Sequence, residues 1–215
     1  MKKFVAVLVG GMVFGLAGMA SAYTLNYNYQ LDGNGGMTSP YASVLVETFD
    51  AGDTLNLTLS GDFNIVQGNA SGLHAAPTGP SGQDQTNYLT VPNARSTGST
   101  FATGFGTANY LGLWWGSIDV YNTFNFYNNN VLVQSFTGSQ VSTLANGSWT
   151  NPATNKYVNI LDLPDFDKIE FVSTQYAFET DNIAVGTVVP EPGTMMLLGA
   201  GFLGLAIFVK RRKSA

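Results

Sequence analysis

Trp114-Trp115 is followed within seven residues by Asp119, Tyr121 and Asn122, so two indoles stand beside a carboxylate, a phenol and an amide. Sugar rings present apolar C–H faces ringed by hydroxyls. An aromatic face flanked by Asp and Asn suits both surfaces. In a strand, neighbouring side chains point to opposite faces, so Trp114 and Trp115 cannot share one core. One is expected in the core. The other belongs on the outer face, either packed beneath a covering loop or presented as a platform for a sugar, with Asp119, Tyr121, Asn122 and Asn125 in support.

A second group lies in Phe178-Glu179-Thr180-Asp181-Asn182-Ile183-Ala184-Val185. Strict alternation puts Phe178, Thr180, Asn182 and Ala184 on one face and Glu179, Asp181, Ile183 and Val185 on the other. Glu179 and Asp181 would then be like-charged neighbours about 7 Å apart. A hard cation relieves such a pair, and calcium takes carboxylate and carbonyl oxygens. Glu179 and Asp181 are therefore candidate calcium ligands. The alternative is a solvated strand end whose Asp181 and Asn182 bond nearby backbone.

Catalysis finds little support. The single histidine, His74, sits in a Gly/Ser/Pro-rich stretch. There is no Gly-x-Ser-x-Gly elbow, no His-Glu-x-x-His helix and no phosphate-cradling glycine loop. Cysteine is absent, which removes thiol nucleophiles, Cys-ligated zinc and disulfides. The enzymatic option left is a carboxylate pair for glycoside hydrolysis, about 5 Å or 6.5–9.5 Å apart across a cleft. The sequence points to a protein that is not an enzyme.

The segments that must position these residues read as short strands. Thr54–Leu59 alternates, with Leu55, Leu57 and Leu59 on one face, and Tyr23–Tyr29 alternates likewise. Ser43–Glu47, Tyr157–Ile160, Lys168–Val172 and Phe178–Val185 have strand length, and Asn87–Val91 reads as an edge strand ended by Pro92. Thr123–Tyr127 and Val131–Phe136 flank Asn128-Asn129-Asn130, a triplet suited to a hairpin turn because Asn tolerates positive φ. Residues 68–84 read as a long loop, and no capped amphipathic helix of ten residues is evident between residues 23 and 187. The fold class expected is all-β, an antiparallel β-sandwich of jelly-roll-like kind.

Both ends of the chain read as targeting segments. Lys2-Lys3, the apolar run Phe4–Met19 and the small-residue site Ala20-Ser21-Ala22 form a signal peptide over 1–22, with the mature chain starting at Tyr23. At the other end, Val189-Pro190-Glu191-Pro192-Gly193 precedes an apolar helix over 194–209 and the basic tail 210–213. The 17 residues from Gly193 to Val209 reach about 25 Å as a helix at ~1.5 Å per residue. That is the short edge of what a hydrocarbon core of about 30 Å requires. The prolines hold the chain extended and stop the helix outward, and the cations favour a cytoplasmic tail. These segments hold six of the nine basic residues, so the domain over 23–187 keeps three (Arg95, Lys156, Lys168) against 13 acids, a net charge of 3 − 13 = −10. No basic patch is available to displace counterions from nucleic acid.

Val-Pro-Glu-Pro-Gly, an apolar helix and a basic tail in this order resemble the PEP-CTERM sorting signal (residues 188–215). That resemblance implies recognition by exosortase after passage through the secretion machinery. It also implies an inner-membrane-anchored precursor, cleavage near Pro190–Pro192, and release to the cell surface or extracellular matrix of a Gram-negative-type envelope. Further inside, Trp115-Gly116-Ser117-x-Asp119-x-Tyr121-Asn122, Phe136-Thr137-Gly138-Ser139, Asn155-x-Tyr157-Val158-Asn159 and Phe178-Glu179-x-Asp181-Asn182 resemble a family of exosortase-dependent surface proteins. No activity is implied by that family. Two readings stand: a non-catalytic module holding extracellular polysaccharide, or a structural or adhesive matrix protein that binds proteins or itself.

Overall fold

Alternating apolar residues separated by Gly, Asn and Pro build an almost entirely antiparallel β protein. The computed structural model describes residues 23–50, 52–93, 97–188 and 201–202. The expected signal peptide with Ala20 and Ala22, the motif Val189–Gly193 and the basic tail lie outside the described residues. So does the apolar run 194–209, apart from the helical pair Gly201 and Phe202. Among the described residues no helix is long and apolar enough to cross a membrane.

The first eight strands are β1 Thr24–Asn26, β2 Gln30–Leu31, β3 Met37–Thr38, β4 Leu45–Glu47, β5 Thr58–Gly61, β6 Asn64–Gln67, β7 Thr78–Gly79 and β8 Gly82–Gln83. The next eight are β9 Asn87–Val91, β10 Gly98–Thr103, β11 Tyr110–Gly116, β12 Asn122–Asn128, β13 Val131–Thr137, β14 Lys156–Leu161, β15 Lys168–Ser173 and β16 Phe178–Gly186. A single helical turn, α1 Gly138–Val141, follows β13. The larger sheet runs β1-β14-β11-β16-β9-β6, with β4 also paired to β16, and the smaller runs β13-β12-β15-β10-β5.

The inner faces of both sheets meet in one core. Leu111, Leu113, Trp115, Val158, Ile160, Phe178, Ile183 and Val185 come from the larger sheet, and Phe124, Phe126, Phe136, Ile169 and Phe171 from the smaller. Trp115 lies stacked on Phe178, ring centroids 4.5 Å apart at 8°, and edge-on to Phe124. Packed rings of this kind add to the burial of area that holds the sheets together.

The outer face of the larger sheet is covered as well. The N-terminal segment crosses it: Asn182 Nδ2 donates to Asp32 and to the Met37 carbonyl, while Asn159 Nδ2 donates to Asn26 Oδ1 and the Asn28 carbonyl. Residues 68–84, expected to be a loop, form a flap that carries the β7–β8 hairpin and buries its own Ala75 and Ala76. Trp114, on this outer face, packs with Met37 and Tyr157.

Several expectations need correction. Leu55 is exposed, and the strand begins only at Thr58. The reason is Glu47, whose buried carboxylate takes the backbone N–H groups of Phe49, Asn56 and Leu57 and so diverts them from a ladder. β9 is an interior strand, since β6 lies outside it. The hairpin turn is two residues long, Asn129 and Asn130 at φ 49° and 64°, between the paired Asn128 and Val131.

Candidate functional site

The β11–β12 turn, the flap, the loop 142–155 and the start of β16 converge at one end of the sandwich. They enclose a cavity of about 210 Å³ lined by His74, Ser117, Asp119, Tyr121, Trp149 and Glu179, among others. Ser117 leaves the strand at φ 40° and its N–H donates to Asn155 Oδ1 at 3.1 Å, which turns the chain toward Asp119. Tyr121 donates its hydroxyl to Asp119 Oδ2 and also lies against the Tyr176 carbonyl.

Two glycines make room for Asp119. A Cβ on Gly138 would stand 2.0 Å from the Asp119 carbonyl oxygen, and one on Gly147, at φ +66°, would stand 2.3 Å from Asp119 Oδ2. Gly147→Ala will therefore destabilise the fold by about 1–2 kcal/mol through its left-handed backbone alone and displace the carboxylate. Gly33→Ala, which meets nothing within 4 Å, will leave the melting temperature nearly unchanged. Thermal denaturation of both variants checks this.

The charges at the site are shaped by burial. Glu179 is 2% exposed, and removal from water pushes its carboxyl up to about 8. The Ser117 hydroxyl on one oxygen and the Ala75 N–H at 3.0 Å on the other pull it back only in part. Burial likewise raises Asp119, against the Tyr121 hydrogen bond. His74 is lowered by burial, and its Nδ1 lies 2.6 Å from the Tyr88 hydroxyl.

Of the residues expected to bind a ligand, the structure brings Asp119 and Tyr121 to this cavity. It does not bring the indole pair. Trp114 and Trp115 do point to opposite faces, as alternation requires, but they are 1% and 0% exposed, so neither offers a ring to a sugar. Trp114 is instead packed under covering chain. Asn122 is also internal: it donates to the Ala177 carbonyl and accepts from Ser173. Asn125 pairs with Glu170 on the smaller sheet, away from the cavity.

The exposed ring at the cavity is Trp149, 40% accessible. It does not stand out in the sequence, because Asn146-Gly147-Ser148-Trp149 carries no strand periodicity. Its one signal was a large apolar residue inside a polar turn.

Glu179 and Asp181 do share the outer face of β16, opposite Gly116 and Trp114. The alternation breaks after them, since Asn182 sits at φ 48° and the register with β11 shifts there. This bulge returns Ile183 and Val185 to the core, so they do not lie on the face of Glu179 and Asp181. Glu179 has donors on both oxygens. Asp181 instead meets Asp84 of the flap.

A search of curated proteins finds no match. Among solved structures, "CpGH89CBM32-6 produced by Clostridium perfringens" aligns at 13% identity and a TM-score of 0.33, over 65% of this chain and 98% of that one, a likeness too slight to argue from. Residues 188–213 match the PEP-CTERM protein-sorting motif. The chain thus carries at its C-terminal end the signal of an exosortase-dependent exported protein, anchored in the membrane and then processed at the surface.

Proposed function

We propose that this exported protein is a non-catalytic polysaccharide-binding module of jelly-roll-like kind, displayed on a Gram-negative-type envelope or in its matrix. The observation that carries the reading is the end cavity, where the exposed Trp149 ring stands beside the carboxylate of Asp119 and the phenol of Tyr121. A ring face takes the C–H side of a sugar, and the oxygens around it take its hydroxyls. The non-catalytic part rests on Glu179. It lines the cavity, but it is 2% exposed and both its oxygens are taken, one by the Ser117 hydroxyl and the other by the Ala75 N–H. Export fits a signal peptide cleaved after Ala22, followed by exosortase cleavage near Pro190–Pro192.

Equilibrium binding to the extracellular polysaccharide of the host tests the reading. Trp149→Ala is expected to weaken binding about tenfold, worth about 1.4 kcal/mol, with its melting temperature close to the parent's. Unchanged affinity in a folded Trp149→Ala protein, or release of reducing ends, contradicts it.

A second reading, self-association within the matrix, draws on β13. This strand edges the smaller sheet and exposes Val131 (65%) and Leu132 (53%), and an open apolar edge is a template for pairing with another chain. Concentration-dependent sedimentation abolished by Val131→Lys would favour it.

A further inference from the structure

Two carboxyl groups are buried together where the flap meets the larger sheet. Asp181 on β16 is 2% exposed and Asp84, just after β8, is 6% exposed. Asp84 Oδ1 accepts from the Thr86 N–H at 2.8 Å and the Thr86 hydroxyl at 2.6 Å. Asp84 Oδ2 and Asp181 Oδ1 have no hydrogen-bond partner. The side chains of these two residues meet each other, and Asp50 adds further negative charge nearby. Burial raises both carboxyls, and since two ionised carboxylates are acceptors only, the pair without a cation is held by a proton shared between them.

Nothing basic among the described residues answers them. Lys156 lies over the Tyr27 ring, and Lys168 over Phe101 and Tyr127 with a bond to Asn130. Beside Asp84 is a small cavity of about 50 Å³ that is also lined by Trp114 (the cross-strand partner of Asp181) and by the neutral amide side chains of Asn34 and Gln83. Asp32 on its rim already accepts from the Asn34 and Gly36 N–H groups and from Asn182. A cation that displaced the shared proton would let both carboxylates ionise and be paired, as buried charges require.

We propose that Asp84 and Asp181 bind a divalent, oxygen-seeking cation of the calcium class, which pins the flap to the outer face of the larger sheet. Asp84 takes the place that alternation along the strand had given to Glu179. The donor set is all oxygen, with no sulfur and no imidazole, which suits calcium rather than zinc. Among the described residues no group of three His, Cys, Asp or Glu is arranged to hold a metal. Neutral oxygens and water must therefore complete the shell. With only two carboxylates the site falls in the weak range of extracellular modules, about 10⁻⁴–10⁻³ M, which suits an exported protein.

Thermal melting of the full-length chain in detergent, with chelator or with added calcium chloride, tests this. At about 10 mM calcium the melting temperature is expected to rise by about 5 °C, and magnesium to give less than half that shift. Asp84→Asn and Asp181→Asn keep the side-chain volume and remove a charge. Each is expected to melt in chelator at or above the parent's temperature and to lose the calcium response, while Trp149→Ala keeps it. Identical parent melts in calcium and chelator overturn the proposal. So does a full calcium response in both Asn variants, or a magnesium shift equal to that of calcium.

Discussion

Replacing Glu179 with Gln will flatten the pH dependence of stability between about pH 4.5 and 8. Burial raises this carboxyl from its ordinary 4.5 to about 8, so between those values the folded state holds a proton that the unfolded state has released. Stability linked to such a group is complete below pH 4.5 and is lost as pH rises through 8. The slope is about 1.4 kcal/mol per unit, on the order of 5 kcal/mol over the window. Asp84, Asp119 and Asp181 are raised in the same direction by burial, so the difference between parent and variant isolates Glu179. Chemical denaturation in chelator at pH 5, 6.5 and 8 gives it. The variant is expected to lose to the parent or match it at pH 5 and to exceed it by several kcal/mol at pH 8. Parallel curves would mean that Glu179 stays ionised in the fold, held there by Ser117 and Ala75.

Trp115→Ala is expected to remove about 3–5 kcal/mol of stability, the usual loss when a large buried ring is deleted from a core. Trp115 is fully enclosed and touches both Phe178 of its own sheet and Phe124 of the facing one, so its loss opens the seam between the sheets. Its indole N–H has no acceptor, a standing penalty within the parent protein. Trp115→Phe keeps a ring and sheds that N–H, so it is expected to lose less than half as much. Urea denaturation of the two variants separates ring packing from the polar group. Equal losses would indicate that the second ring of the indole carries the packing.

The β-rich character was legible where side chains alternate against one core. Lys168–Ser173 follows from period-two patterning, and the hairpin at Asn129-Asn130 from the tolerance of Asn for positive φ. β10, Gly98–Thr103, was not legible, because Gly, Ser, Thr and Ala carry little apolar signal and the strand is fixed by pairing with β15 and β5. Leu55 misled for the opposite reason: the alternation is present, but Glu47 claims the backbone.

The site followed the same division. Asp119 and Tyr121 could be read because they sit just after a strand whose course was clear. The burial of Trp114 depended on chain that covers the outer face from far away in sequence, namely Met37 and the flap residue Gly79, which lies against its ring. Asp84 could not be paired with Asp181 for the same reason. Nearly a hundred residues separate them, and only the folded flap joins them.

On the proposed reading Trp149, beside Asp119 and Tyr121, receives a sugar. Of the three tryptophans only Trp149 is open to solvent, so collisional quenching of fluorescence by acrylamide reports chiefly on its ring. Saturating extracellular polysaccharide is expected to shift the emission to the blue and to protect most of the quenchable signal, with no such change in Trp149→Phe. Quenching that is identical with and without the polysaccharide would mean that Trp149 meets no sugar.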